Sequence, residues 1–184
     1  METYEAIMTR RSVPRVSARR PDAATIRRLL EAGVRAPTHH LTQPWRFVVL
    51  AGEALERFAD AWAAGAAREG KDPETARAKA LRAPVAITVV ATPKHHLPKV
   101  QEIEEHHAVG AALQNILLAA HDSGLGAMLR TGPAAHIPEV HDYLGLRPGE
   151  LVAAYVYVGY PEAPSDRPLT RRTDIEALAE WRGW

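Results

Sequence analysis

The chain has 184 residues, a formal net charge of +1, 46% hydrophobic residues and no cysteine. That is enough apolar material for one domain with its own core, 1–184. The missing cysteine excludes disulfides, a thiol nucleophile and Cys-ligated zinc or iron–sulfur sites. Lys and Arg are scattered among nearly as many acids, no apolar run is long enough for a bilayer, and residue 1 onward lacks a secretory pattern. The expectation is a soluble, cytoplasmic protein with neither a nucleic-acid nor a membrane partner.

Residues 2–9 carry Tyr4, Ile7 and Met8 at helical spacing and predict a short amphipathic helix. Asp22 is placed to cap the next helix, which runs to about Arg35 with Ile26, Leu29, Leu30 and Val34 on one face before Pro37 ends it. Residues 46–50 read as a buried strand, and 52–69 as an alanine-rich helix. Residues 70–82 are charged and read as a helical excursion or a lid. Residues 85–92 form the clearest strand, followed by a loop over 93–99.

The longest helix is expected over 101–123. From Ala108 it is apolar almost all round, so it is buried in a core or at a subunit interface. Gly110, Ala111 and Ala112 on it allow another element to approach closely. Gly124 and Gly126 lead into a short strand through Met128 and Leu129. A helix over 137–144 and a strand over 151–159 follow. Residues 163–184 are a Pro-rich arm with a short terminal helix, which either wraps a partner subunit or extends as a solvated tail. With no internal repeat, the order predicts an α+β domain, a small sheet flanked by helices.

Four stretches carry candidate chemistry. Arg10-Arg11-Ser12 offers two guanidiniums and a hydroxyl, able to grip a phosphate or simply to close a helix C-terminus. In 35–47, Arg35, His39 and Gln43 have no obvious structural need, whereas Trp45 reads as core. Leu129-Arg130-Thr131 follows the Gly124–Gly126 turn, where backbone near glycine can approach a flat ring; a strand end with a surface Arg is the alternative. Arg171-Arg172 is either a solvated pair or an added phosphate contact.

Arg10-Arg11-Ser12, the run Arg35-Ala36-Pro37-Thr38 with Gln43-Pro44-Trp45-Arg46-Phe47, the stretch from Ala112 to Gly126 and Val158-Gly159-Tyr160-Pro161 occur in one order. In this the chain resembles the FMN-dependent nitroreductase family, most closely its short, minimal branch. The match runs from Tyr4 to about Pro161, with an echo in Arg171-Arg172.

The resemblance implies a nitroreductase-like α+β fold with a small antiparallel or mixed sheet, in a domain-exchanged homodimer that holds two FMN at the subunit interface. It implies that Arg10, Arg11 and Ser12 hold phosphate and ribityl chain. Leu129, Arg130 and Thr131 would line the cofactor, Arg35 and His39 would reach it from the other subunit, and Arg171 or Arg172 would add a contact. NAD(P)H would be the reductant and an electron-poor small molecule, such as a nitroaromatic or quinone, the acceptor, in a ping-pong cycle. The flavin carries that chemistry, so no catalytic side chain is expected beyond His39 or His40 as a proton donor.

The chain departs from its relatives at Leu41, where many carry Asn, and at Leu129, where some carry Trp. Two other readings stand beside this one. One is a flavin-binding or flavin-delivering module without broad turnover. The other is a metal protein built on the pairs His39-His40, His95-His96 and His106-His107, with Glu102, Glu105 and His106 at i, i+3 and i+4.

Overall fold

The computed structural model describes residues 1–94, 96–163, 169–170 and 172–184. Strands β1 (Trp45–Ala51), β2 (Val85–Ala91), β3 (Gly126–Arg130) and β4 (Leu151–Gly159) form one sheet in the order β1-β2-β4-β3. Every pairing in it is antiparallel. β2 is buried along its whole length. Its unbroken apolar run follows from that place, since a central strand covered on both faces has no polar side. β1 lies at an edge instead, and its Val49 is 41% exposed. The strand expected to be buried over 46–50 is thus only half-buried, because it has a sheet neighbour on one side alone.

Among the described residues, six helices surround the sheet: α1 (Thr3–Thr9), α2 (Ala23–Gly33), α3 (Glu53–Arg68), α4 (Pro73–Ala80), α5 (Glu102–Asp122) and α6 (Pro138–Leu144). α2 and α5 pack on one face, where Leu29, Ala112 and Ile116 meet Ile87 and Val156. α3 and α6 pack on the other, where Phe58 and Val140 meet Tyr155. α2 starts where the Asp22 carboxylate accepts from the Thr25 N–H at 2.6 Å. α5 starts at a capping box between Gln101 and Glu104. Both devices satisfy N–H groups that a helix start leaves without partners. Gly33 brings α2 close to α5, for a Cβ there would lie 2.9 Å from Ile116 Cγ1. The Asn115 amide locks the same contact by donating to the Ala32 carbonyl at 3.1 Å.

The charged excursion over 70–82 contains α4, capped by Asp72 and held on α3 by ion pairs from Arg77 to Glu56 and Asp60. α5 buries Ala108, Val109, Ala112, Leu113, Ile116, Leu117 and Ala120, yet a Cβ on Gly110 would meet nothing. The close approach expected there is not made within the chain. α1 shows the same tendency: Ala6 is its buried residue, while Tyr4, Ile7 and Met8 are exposed. The short terminal helix reduces to a 3₁₀ turn, Ile175–Ala177, and Leu178, Trp181 and Trp184 around it are exposed.

Candidate active site

The first basic cluster is fixed by the chain leaving α1. Arg10 ends the helix in extended backbone, its N–H bonded to the Ala6 carbonyl. The segment beyond it crosses the end of the sheet. Val13 N–H donates to Ala127 O at 3.0 Å and Ser17 N–H to Tyr160 O at 2.8 Å. Two glycines make room for this crossing. A Cβ on Gly126 would lie 2.8 Å from Val13 Cγ1, and one on Gly159 would lie 2.8 Å from Val16 Cγ2. Arg10, Arg11 and Ser12 are thereby held between the start of β3 and the C-terminal end of α5.

His121 of α5 lies beside them, its Nε2 2.9 Å from the Thr9 hydroxyl. Burial, and then the positive charges of Arg10 and Arg11, hold its pKa below the ordinary histidine value. The Nε of Arg10 is buried and has no hydrogen-bond partner among the described residues. A buried donor of this kind is costly unless something outside the chain accepts from it.

On the α3 side of the sheet lies a cavity of about 520 Å³, lined among others by Lys79, Arg82, Arg130, Thr131, Tyr155 and Tyr157. The strand register explains the grouping. Arg130 pairs with Tyr155 and Met128 with Tyr157, so these side chains share a face; Leu129 pairs with Val156 and turns to the other face. Of the predicted 129–131 stretch, Arg130 and Thr131 therefore reach the cavity and Leu129 does not.

Arg130 Nε donates only to the Met128 sulfur at 3.1 Å. Arg82 Nε donates to the Lys79 carbonyl at 2.7 Å and sits over the Tyr157 ring. Arg82 and Arg130 have no carboxylate partner among the described residues, whereas the charge of Lys79 acts on the Asp72 carboxylate, which lines the same cavity together with Glu69. Tyr157 keeps a buried hydroxyl with no partner there, and burial pushes its pKa up to about 12. The sequence reading missed Lys79, Arg82, Tyr155 and Tyr157. The alternation Tyr155-x-Tyr157 was the available signal, since it puts both rings on one face.

The second cluster sits at the opposite end of α5. His39 Nε2 is 3.8 Å from a Glu104 carboxylate oxygen, and the His39 and His40 rings meet edge-on at 4.3 Å. Pro37, Thr38 and His39 form a shallow cleft with Glu104, His107 and Ala108. Arg35 is exposed just past α2, and Gln43 is exposed ahead of β1. Trp45 packs in the core as expected. Arg46 is a structural residue: its guanidinium bonds Glu150 at 2.7 Å and the carbonyls of Leu144 and Gly145.

Glu104 and His121, which mark the two clusters, stand about 26 Å apart along α5 at a helical rise of about 1.5 Å per residue. One chain does not bring His39 and Arg10 to the same ligand. Arg172 is exposed, and Arg171 lies outside the described residues.

The spacing of Glu102, Glu105 and His106 does not produce a metal site. Glu105 turns into the core toward Thr42, while Glu102 and His106 face each other on the surface at 3.5 Å. No three potential ligands converge among the described residues, and His95 lies outside them. No helix among these residues is long and apolar enough to cross a membrane.

A family model described as the nitroreductase family matches residues 7–160. The chain belongs to the nitroreductase family. Within that family it is 34% identical over 165 residues to "Putative NAD(P)H nitroreductase YdjA" of Escherichia coli K12, covering 88% of this chain and 90% of the relative. A solved structure from Desulfovibrio desulfuricans, described as a "putative nitroreductase in complex with fmn", is 30% identical, with a TM-score of 0.74 over 99% of this chain and 98% of that one. A nitroreductase-like family protein from Bacillus cereus shares the fold at a TM-score of 0.84 and 24% identity, covering 100% of this chain and 97% of its own. The nitroreductase fold expected from the motifs is thus the observed one, with an antiparallel sheet.

Proposed function

We propose that the protein is a cytoplasmic FMN-dependent oxidoreductase that uses NAD(P)H to reduce nitroaromatic, quinone or similar electron-poor acceptors in a ping-pong cycle. The observation that carries this reading is the buried Nε of Arg10, unpartnered among the described residues, beside Arg11 and Ser12 on a segment that hydrogen bonds tie to the end of the sheet. That donor set fits a phosphate monoester, whose oxygens accept several charge-assisted hydrogen bonds. Arg171 or Arg172 is the candidate for an added contact from the arm.

The cavity carrying Arg130 and Thr131 suits the ring system. Its volume lies in the range of small-molecule sites, and Arg82 and Arg130, which have no carboxylate partner among the described residues, favour negative charge on a bound ring. Bound FMN supplies the redox chemistry, taking electrons from the nicotinamide and passing them to the acceptor. The chain supplies position, electrostatics and shelter; His39 or His40 stands by as a proton source.

The functional unit in this reading is a homodimer. His39 and Gln43 lie too far from Arg10 in one chain, so they serve the flavin bound by the partner subunit, and Arg35 joins them there. The exposed faces of α1, the Gly110 side of α5 and the arm supply the apolar contact surface.

The test is the visible spectrum of the purified protein before and after NADH or NADPH under argon. Flavin bands that bleach are expected, followed by reoxidation when a quinone or nitroaromatic is added. Bands that do not bleach indicate a flavin-binding module, and no bands after incubation with FMN refute the reading.

A further inference from the structure

We propose that Thr42 and Glu105 form a buried clamp that fixes the loop over 39–43 in the shape in which it presents His39 and Gln43, which makes both clamp members positioning residues. The proposal rests on the reading that this loop serves the partner subunit's flavin.

The loop is strained. His40, Leu41 and Gln43 have φ values of +49°, +55° and +46°, and none is glycine. A Cβ is disfavoured in that region, so the surroundings must impose the conformation. Apolar burial does not impose it: Leu41 is 82% exposed, and His39, His40 and Gln43 are exposed as well. The buried member is Thr42, at 4% exposure.

Its hydroxyl donates to Glu105 Oε1 at 2.6 Å, and the Lys94 N–H donates to Glu105 Oε2 at 2.9 Å. The Lys94 ammonium closes the ring by donating to the Thr42 carbonyl. Glu105 itself is 1% exposed, one turn into α5, beside the Glu104 that faces His39. One buried carboxylate therefore ties the loop to α5 and to the chain leaving β2. A carboxyl group is an expensive thing to bury, and one of the two segments it holds here is a strained, outward-facing loop.

Thr42→Val keeps the shape and removes the donor; Thr42→Ser keeps the donor. Hydrogen exchange of the apoprotein reads the clamp, through the Thr42 and Trp45 amides that bond His39 O and Gln43 O. Thr42→Val is expected to speed exchange in the 38–45 peptide by about tenfold or more while β2 and β4 stay protected, with Thr42→Ser close to wild type. FMN titration reads the positioning. Thr42→Val should weaken FMN by at least the factor that His39→Ala does, and the double variant should lose less than the product of the two separate factors, because only the part acting through Gln43 remains to be lost.

Wild-type loop exchange in folded Thr42→Val overturns the clamp. A full extra loss of affinity in the double variant overturns its action through His39. Faster loop exchange in Thr42→Val, with His39→Ala binding FMN as wild type does, leaves the clamp standing and refutes the loop's reach to the flavin. If Thr42→Val does not fold, Glu105→Gln, which loses the second acceptor facing Lys94, carries the same comparison.

Discussion

Pairing Arg10→Ala with His39→Ala in one heterodimer tests whether the two basic clusters meet across subunits. Along α5 they stand about 26 Å apart, which no side chain spans, so a flavin touching both must draw on two chains. Removing a charged hydrogen bond from Arg10 costs about 1.5–3 kcal/mol, or roughly 10- to 150-fold in FMN affinity. Removing a neutral one from His39 costs about 0.5–1.5 kcal/mol, or roughly 2- to 13-fold.

A heterodimer purified through two different tags carries one lesion per chain. If the site is shared, one of its two sites has both residues and the other has neither. FMN titration, followed by quenching of flavin fluorescence, should then give two phases of equal amplitude. One should have wild-type affinity, and the other should be weaker than either homodimeric variant. If each chain builds its own site, every site carries a single lesion and no wild-type phase appears. That result, in a heterodimer whose composition is verified by native mass spectrometry, would refute the shared site.

Two further outcomes follow from titrating groups. The Arg46 guanidinium holds the Glu150 carboxyl below the ordinary carboxylate range; its stabilising effect is therefore present above about pH 4.3 and lost as pH falls through the folded value. Glu150→Gln should cost about 1–2 kcal/mol in urea unfolding at pH 7, with the difference from wild type shrinking toward pH 3; an unchanged difference would show that the ion pair is not the cause. His121 is depressed by burial and by Arg10 and Arg11, so it opposes folding as pH falls below about 6.5. An FMN phosphate beside those arginines offsets their charge, so the His121 ring protons should titrate at higher pH with FMN bound than without it, and an identical NMR titration would move the phosphate elsewhere.

Local periodicity made the elements legible. The Asp22 cap, the apolar run of β2 and β4 over 151–159 are each decided by residues within a few positions of one another. What covers a face is not local. Tyr4, Ile7 and Met8 correctly share one side of α1, but nothing in their spacing says that this side looks outward. The run at 46–50 likewise carries no sign that its strand is an edge.

The same limit divides the candidate site. Arg10-Arg11-Ser12 and the 35–43 stretch stood out as motifs. Lys79 and Arg82 did not, because they reach the cavity only once α4 has folded back onto α3. Glu105 shows the limit most plainly. Its spacing from Glu102 and His106 was compatible with a metal site, yet one helical step separates a surface carboxylate from a buried one, and α5 turns Glu105 inward.

The places where the single chain looks incomplete are consistent with one cause. Among the described residues, Arg10 has a buried donor without an acceptor, Gly110 faces open space, α1 shows its apolar side, and the 39–43 loop holds strain while exposing Leu41. An exposed apolar side chain or a surface loop is ordinary when it occurs singly. These features lie, however, at both ends and on the uncovered side of one helix. In the proposed homodimer, a two-fold axis near the middle of α5 would reverse that helix in the second copy, set the His39 end of one chain beside the Arg10 end of the other and cover the Gly110 side. A flavin bound there completes the donors of one chain and rests against the strained loop of its partner, so in the proposed reading neither chain alone holds a complete site.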